Sequence, residues 1–274
     1  DGNAEEAIGF ADASNWSYDS VNLSVSAQET APQGVHFKPD GTKMYVTGSS
    51  GDAVNEYDLS TAWDISSASY LQNFSVSAQE ISPQDVFFKS DGTKMYVVGA
   101  VGQDVNEYNL STAWDVSTAS YSQVFSVSSQ ESGPKGIFFK TDGTKMYIVG
   151  SSGVEINEYD LSTAWDISSA SFLQNFSLSS QDTAPTGMFL SSDGLKMYMS
   201  GDTGNDINYY TLSTAWDISS ASFVENFSVS SQTTSPSAVF FKSDGTTMYV
   251  TGSNNTGVFQ YTTSITGNFN RMNS

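Results

Sequence analysis

Five gapless copies of a 51-residue unit, each with four short β-patterned runs, predict an all-β fold: a five-bladed β-propeller of four-stranded antiparallel blades. The step is read from Met44, Met95, Met146, Met197 and Met248. The turn aspartates Asp40, Asp91, Asp142, Asp193 and Asp244 and the tyrosines Tyr57, Tyr108, Tyr159, Tyr210 and Tyr261 keep it. The chain opens on an outer-strand motif at Asn22–Val25 and stops after a third strand near Tyr261. The N-terminal strand is therefore expected to pair with Val258–Tyr261, closing the ring and removing two unpaired edges.

Within one copy, Leu23 and Val25 alternate with Ser24 and Ser26, the period of a half-exposed strand. Pro32 is expected to break the chain. Gly34-Val35-His36-Phe37 is almost wholly apolar, as a strand covered on both faces should be. Asp40-Gly41 signals a tight turn, because glycine supplies positive φ. Lys43–Thr47 is the next strand, Gly48–Gly51 a loop, and Val54–Leu59 the third strand. Ser60 to Asp64 turns the chain into the next outer strand, from Tyr70 to Val76. A sheet apolar on both faces needs neighbours on both, and radial stacking supplies them. These limits divide the chain into a lead segment 1–20, a propeller 21–265 and a tail 266–274.

Composition narrows the function classes. Hydrophobic residues make up 38% and aromatic residues 13%, enough for a large core, while charged residues are only 15%. A formal charge of −20 disfavours nucleic acid and anionic membrane as partners. No apolar run is long enough for membrane insertion, and the absence of cysteine removes disulfide and thiolate chemistry. The chain begins at Asp1 without methionine, so the expectation is a processed product working outside the cell or on a cell or virion surface, and monomeric.

Three sets of residues carry candidate chemistry. Trp63, Trp114, Trp165 and Trp216 each precede an aspartate, Asp64, Asp115, Asp166 and Asp217. Either the indole faces stack on sugar rings while the carboxylates accept hydroxyl hydrogen bonds, or each tryptophan plugs its blade edge and each aspartate caps the turn. Trp16 or Phe10 would fill the equivalent place in the fifth copy. Glu29, Glu80, Glu131 and Asp182, with Thr233 in the fifth copy, lie between an outer strand and the next inner strand. They either converge on the axis around Ca²⁺, which prefers oxygen ligands, or form a solvated acidic rim. The aligned Gln28, Gln79, Gln130, Gln181 and Gln232 are expected to tie neighbouring blades by hydrogen bonds. The lone histidine, His36, stands where the other copies carry phenylalanine, and reads as a substituted core aromatic. One histidine and no cysteine leave no repeated triad.

The phrase Lys38-Pro39-Asp40-Gly41-Thr42-Lys43-Met44-Tyr45-Val46-Thr47 resembles the S-P-D-G-K-x-L-Y-V-T-N phrase of YVTN-type propeller repeats. Ala62-Trp63-Asp64 resembles the terminal dipeptide of WD repeats, although here it follows the third strand by several residues. Five blades with end closure are similar in plan to tachylectin-type lectin propellers, and the dense Tyr-Asp-Leu-Ser-Thr-Ala-Trp-Asp repeats resemble environmental microbial and phage surface proteins. The resemblance implies the fold and leaves activity open, since propellers host lectins, scaffolds, lyases and lactonases.

The uniform repeats argue against catalysis, because one reaction centre needs unique groups. The first expectation is therefore a non-enzymatic protein that recognises a glycan or another surface through repeated equivalent sites. A protein-interaction scaffold without a small ligand is the second, and a metal-dependent hydrolase or lyase using the axial channel the third.

Overall fold

A computed structural model describes residues 15–263. The first strand, β1 (Trp16–Ser24), precedes the first complete blade, which comprises β2 (Pro32–Phe37), β3 (Lys43–Gly48), β4 (Ala53–Leu59) and β5 (Ala68–Ser75). The second blade comprises β6 (Pro83–Phe88), β7 (Lys94–Gly99), β8 (Asp104–Leu110) and β9 (Ala119–Ser126). The third holds β10 (Pro134–Phe139), β11 (Lys145–Gly150), β12 (Glu155–Leu161) and β13 (Ala170–Ser177). The fourth holds β14 (Pro185–Leu190), β15 (Lys196–Gly201), β16 (Asp206–Leu212) and β17 (Ala221–Ser228). The last contains β18 (Pro236–Phe241), β19 (Thr247–Gly252) and β20 (Gly257–Thr263), completed by β1. The protein is an all-β, five-bladed propeller of four-stranded antiparallel sheets. The inner strands touch in the order β2, β6, β10, β14, β18, and β18 returns to β2, so the ring is closed.

Closure follows the expected register. Asn22 pairs with Phe259 and Leu23 with Val258. The strand starts earlier than the sequence suggested, however, inside the supposed lead segment. A bulge between Tyr18 and Val21, with Ser20 at φ 60, re-aims β1 so that Trp16 reaches the core. Trp16 packs edge-on against Phe241 at 5.3 Å and is the group that fills the fifth aromatic place; Phe10 lies outside the described residues, as do 264 and 265 and the tail. Pro32 does not break the chain either. It opens β2, paired with Gly48 just before a bulge, a place where a missing N–H is tolerated.

Blades adhere through aromatic pairs. Phe37 lies 4.3 Å from Tyr249 and Phe88 4.3 Å from Tyr45, each across a blade boundary. The tyrosine hydroxyls then donate to tryptophan carbonyls: Tyr45 to Trp114, Tyr96 to Trp165 and Tyr147 to Trp216, each at 2.7 Å. Buried polar groups add a second seam. Glu56 accepts from Lys43, from Gln72 and from the Val116 N–H of the next blade. The expected glutamine ties are present. Tyr57 donates to Gln28, Tyr108 to Gln79 and Tyr261 to Gln232, fixing each inter-blade connection to the blade it enters.

Candidate functional site

Each Trp-Asp pair is built into the blade. The tryptophans adopt left-handed backbone geometry, with φ of 68 at Trp63 and 66 at Trp114, an uncommon state for a bulky residue. It lays the indole flat on the Asp-Gly turn: a Cβ on Gly92 would sit 2.3 Å from Trp114, so glycine is required there both for its φ of 73 and for this approach. Phe88 covers Trp114 at 5.5 Å, and Trp114 and Trp216 are buried. Trp63 and Trp165 are half-buried, with Phe37 and Phe139 stacked on them at 5.6 and 5.5 Å. Asp64, Asp115, Asp166 and Asp217 cap single 3-10 turns, accepting from the N–H groups of Ser66, Ser117, Ser168 and Ser219. Asp115 also accepts from Gln72, Asp166 from Gln123 and Asp217 from Gln174, all across blade boundaries. Hydrogen bonds, led by those from Ser117, Ser168 and Ser219, hold these last three carboxyls below the usual range. The carboxylates are therefore taken up as turn caps and blade ties, and each indole lies on its Asp-Gly turn, as the second of the two sequence readings has it.

The carboxylates proposed for Ca²⁺ do not converge. Glu29 accepts from the N–H groups of Ala31, Ser50 and Gly51, and Glu131 from those of Gly133, Ser152 and Gly153. Glu80 binds Ser82 and Gly102, and Asp182 binds Ala184 and Gly204. Each buried carboxylate clamps the loop of its own blade, so neither an axial cage nor a solvated rim describes it. Among the described residues, no group of three or more acids or histidines is arranged to hold a metal ion.

The repeat is broken at the axis. The inner strands run from one mouth of the ring to the other, and at three of their positions the differences between blades bring in polar or ionisable side chains. Nearest one mouth stand Gln33, Gln84, Lys135, Thr186 and Ser237. Above them come Gly34, Asp85, Gly136, Gly187 and Ala238, then His36, Phe87, Phe138, Phe189 and Phe240. The last five close on one another as a pinwheel of edge-on rings. Centroid distances run 5.0 Å from His36 to Phe87, then 5.3, 5.4 and 5.5 Å round to Phe240, and 5.2 Å back to His36. This layer separates two mouths of opposite character. His36 fits the pinwheel as a substituted aromatic should, and burial lowers its pKa to about 3.

The polar mouth is a cavity of about 310 Å³ whose lining includes Gln33, Lys135, Thr186, Asp202, Ser237 and Ser253. Lys135 donates to Gln84 Oε1 at 2.9 Å. Burial lowers the Lys135 pKa, opposed by the carboxylates of Asp202 and Glu131. Asp202 takes the place of Ser49, Ala100, Ser151 and Ser253 in the other blades, and its Oδ1 is buried with no hydrogen-bond partner among the described residues. Ser237 and Thr186 donate to the carbonyls of Pro32 and Pro236, stitching adjacent blades beneath the cavity.

Asp85, Lys135 and Asp202 were not singled out from the sequence. The same comparison of copies that marks His36 marks them too, since each is an ionisable side chain where its counterparts are not. Asp85 Oδ1 accepts from its own chain at Val86 and Oδ2 from Ile137 of the next blade. Burial nonetheless pushes its pKa up to about 7, from 3.8. The folded carboxyl thus keeps a proton that the unfolded chain releases, and its contribution to stability is lost as pH rises from about 4 through about 7. His36 acts oppositely: the unfolded imidazole is protonated below 6.5 and the folded one only near 3, so its contribution is lost as pH falls across that window. Restoring the repeat residue by Asp85→Gly should favour the variant, relative to the parent chain, by roughly 2–3 kcal/mol more at about pH 8 than at about pH 5. Urea unfolding at the two pH values measures it, and parallel pH dependence in the two proteins would refute the assignment.

No protein-family model and no curated protein matches the chain. Solved propellers do share the fold. A protein from Bacteroides uniformis provisionally named a 6-phosphogluconolactonase aligns with TM-score 0.50 and 12% identity over 80% of this chain and 63% of its own. One from Bacteroides fragilis, provisionally named likewise, gives 0.50 and 13% over 81% and 64%. This chain thus spans less than two thirds of either. A luciferin-regenerating enzyme gives 0.54 and 12% over 90% of this chain and 96% of its own. At these identities the likeness is one of fold. It corrects the expectation of a non-enzymatic protein, which rested on blade uniformity: the architecture is shared with chains named as enzymes, and here the uniformity fails at the axis.

Proposed function

We propose that the protein is a propeller enzyme acting on a small polar acyl compound, a lactone or carboxylic ester, at the polar axial mouth. The observation that carries this reading is the presence of both Lys135 and Asp202 in the lining of one cavity, where the repeat carries neutral residues. A lysine whose pKa burial lowers is a better proton acceptor at neutral pH than a surface lysine. Its amine takes a proton from the attacking water as the new C–O bond forms, then returns it to the leaving alkoxide as the acyl C–O bond breaks. Acid and alcohol result, with Lys135 unchanged. Asp202 orients the ammonium that forms in between. The names of the propellers that share the fold supply the reaction class to test first. The Asp-Gly-Thr-Lys-Met-Tyr phrase supports kinship with YVTN-type repeats in particular.

The test is turnover of a panel of small lactones and esters by the parent chain and by Lys135→Gln, which restores the residue of the first two blades. Loss of the proton acceptor should lower kcat by about 10²–10⁴-fold at unchanged thermal stability. Turnover of no panel member, or equal kcat in the two proteins, would sink the reading.

A further inference from the structure

The opposite mouth carries a different site. Beyond the pinwheel lies a cavity of about 190 Å³ whose floor is His36 and the four phenylalanines, and whose wall includes Trp63, Trp114 and Trp165. We propose that this cavity binds an uncharged aromatic small molecule of one or two rings.

Three features select that chemistry. The lining is rings and aliphatic carbon, with exposed Pro39, Ser90, Thr141, Ser192 and Ser243 only at the rim. Apolar cavities of this size hold water poorly and accept benzene-like guests. The rings are already locked: the tryptophans by their turns and the phenylalanines by edge-on contact with each other, so a guest orders few side chains on entering. Finally, the lining holds no carboxylate, lysine or arginine, and its one titratable group, His36, is neutral above pH of about 3. A charged guest would lose hydration and find no counter-charge. The turn aspartates lie outside the lining: Asp40, Asp91, Asp142 and Asp244 are paired with Lys38, Lys89, Lys140 and Lys242, and Asp193 is taken up by the Ser191 hydroxyl and the Leu195 N–H.

Because the pinwheel stands between the mouths, this site is independent of the hydrolytic reading, and either can fail alone. The test is calorimetric titration with indole, and with tryptamine and indole-3-acetate as its cationic and anionic counterparts. Ser90→Trp and Ser192→Trp, both at exposed rim positions, serve as blocking variants, with thermal melting as the folding control. Saturable one-to-one binding of indole is expected, weakened about tenfold or more by either charge and by either blocking residue at unchanged melting temperature. Absence of saturable indole binding, equal binding of the charged analogues, or full binding in both blocking variants would overturn the proposal.

Discussion

Removal of residues 1–24 should abolish the monomeric native state. β20 would lose its ladder to β1 and present an unpaired edge, the usual template for association between chains. The same cut removes Trp16 from Phe241, and Tyr18 from Phe259 and Tyr261. Deleting a buried tryptophan side chain alone costs about 3–5 kcal/mol, against a total of about 5–15 for an ordinary domain. The loss does not stay local, because a ring opened at one blade boundary exposes two blade faces. Light scattering and circular dichroism of the truncated chain should show aggregation or loss of the native melt. A peptide covering residues 15–27, supplied in trans, should restore the cooperative transition by adding the missing strand. A truncated chain that stays monomeric and melts within a few degrees of the parent would contradict closure by β1.

The second large effect concerns activity. His36→Phe, Asp85→Gly, Lys135→Gln and Asp202→Ser together return the axis to residues that other blades already carry at the same positions. Phenylalanine completes the pinwheel with the geometry of its neighbours, as between Phe87 and Phe138. Glycine stands at 34, 136 and 187, glutamine at 33 and 84, and serine at 49, 151 and 253, so none of the four is foreign to the fold. The combined variant should therefore keep the ring and lose the ionisable groups of the axis. If the function resides where the repeat is broken, turnover goes with them; if it resides in the repeated features, turnover survives.

Much of the ring was legible because a repeat turns weak local signals into strong ones. One Asp-Gly is a turn signal; five in step fix the hairpin between β2 and β3 and its counterparts. The closing register was legible because the chain starts and stops at different points of the unit. The start of β1 was not, because Trp16 belongs to no copy of the strand pattern and only the bulge at Ser20 brings it into the core. The candidate sites were less legible. Repetition draws attention to Trp63 and Glu29, whereas repetition on this scale belongs to architecture: the indole lies on its turn, and the carboxylate is taken up by backbone N–H groups that only the folded loop brings near. The informative residues were the departures. His36 was visible as one. Asp85 and Lys135 sit in strands whose apolar core dominates the pattern, and their shared direction toward the axis depends on the bulge after each strand's proline.

The most direct measurement is turnover by the fourfold repeat-restored variant beside the parent chain, on whichever lactone or ester the parent hydrolyses best, with circular dichroism and melting confirming the ring in both. Native spectra with turnover reduced at least about 10²-fold is the result expected if the axial charges do the chemistry. Native spectra with undiminished turnover would contradict it.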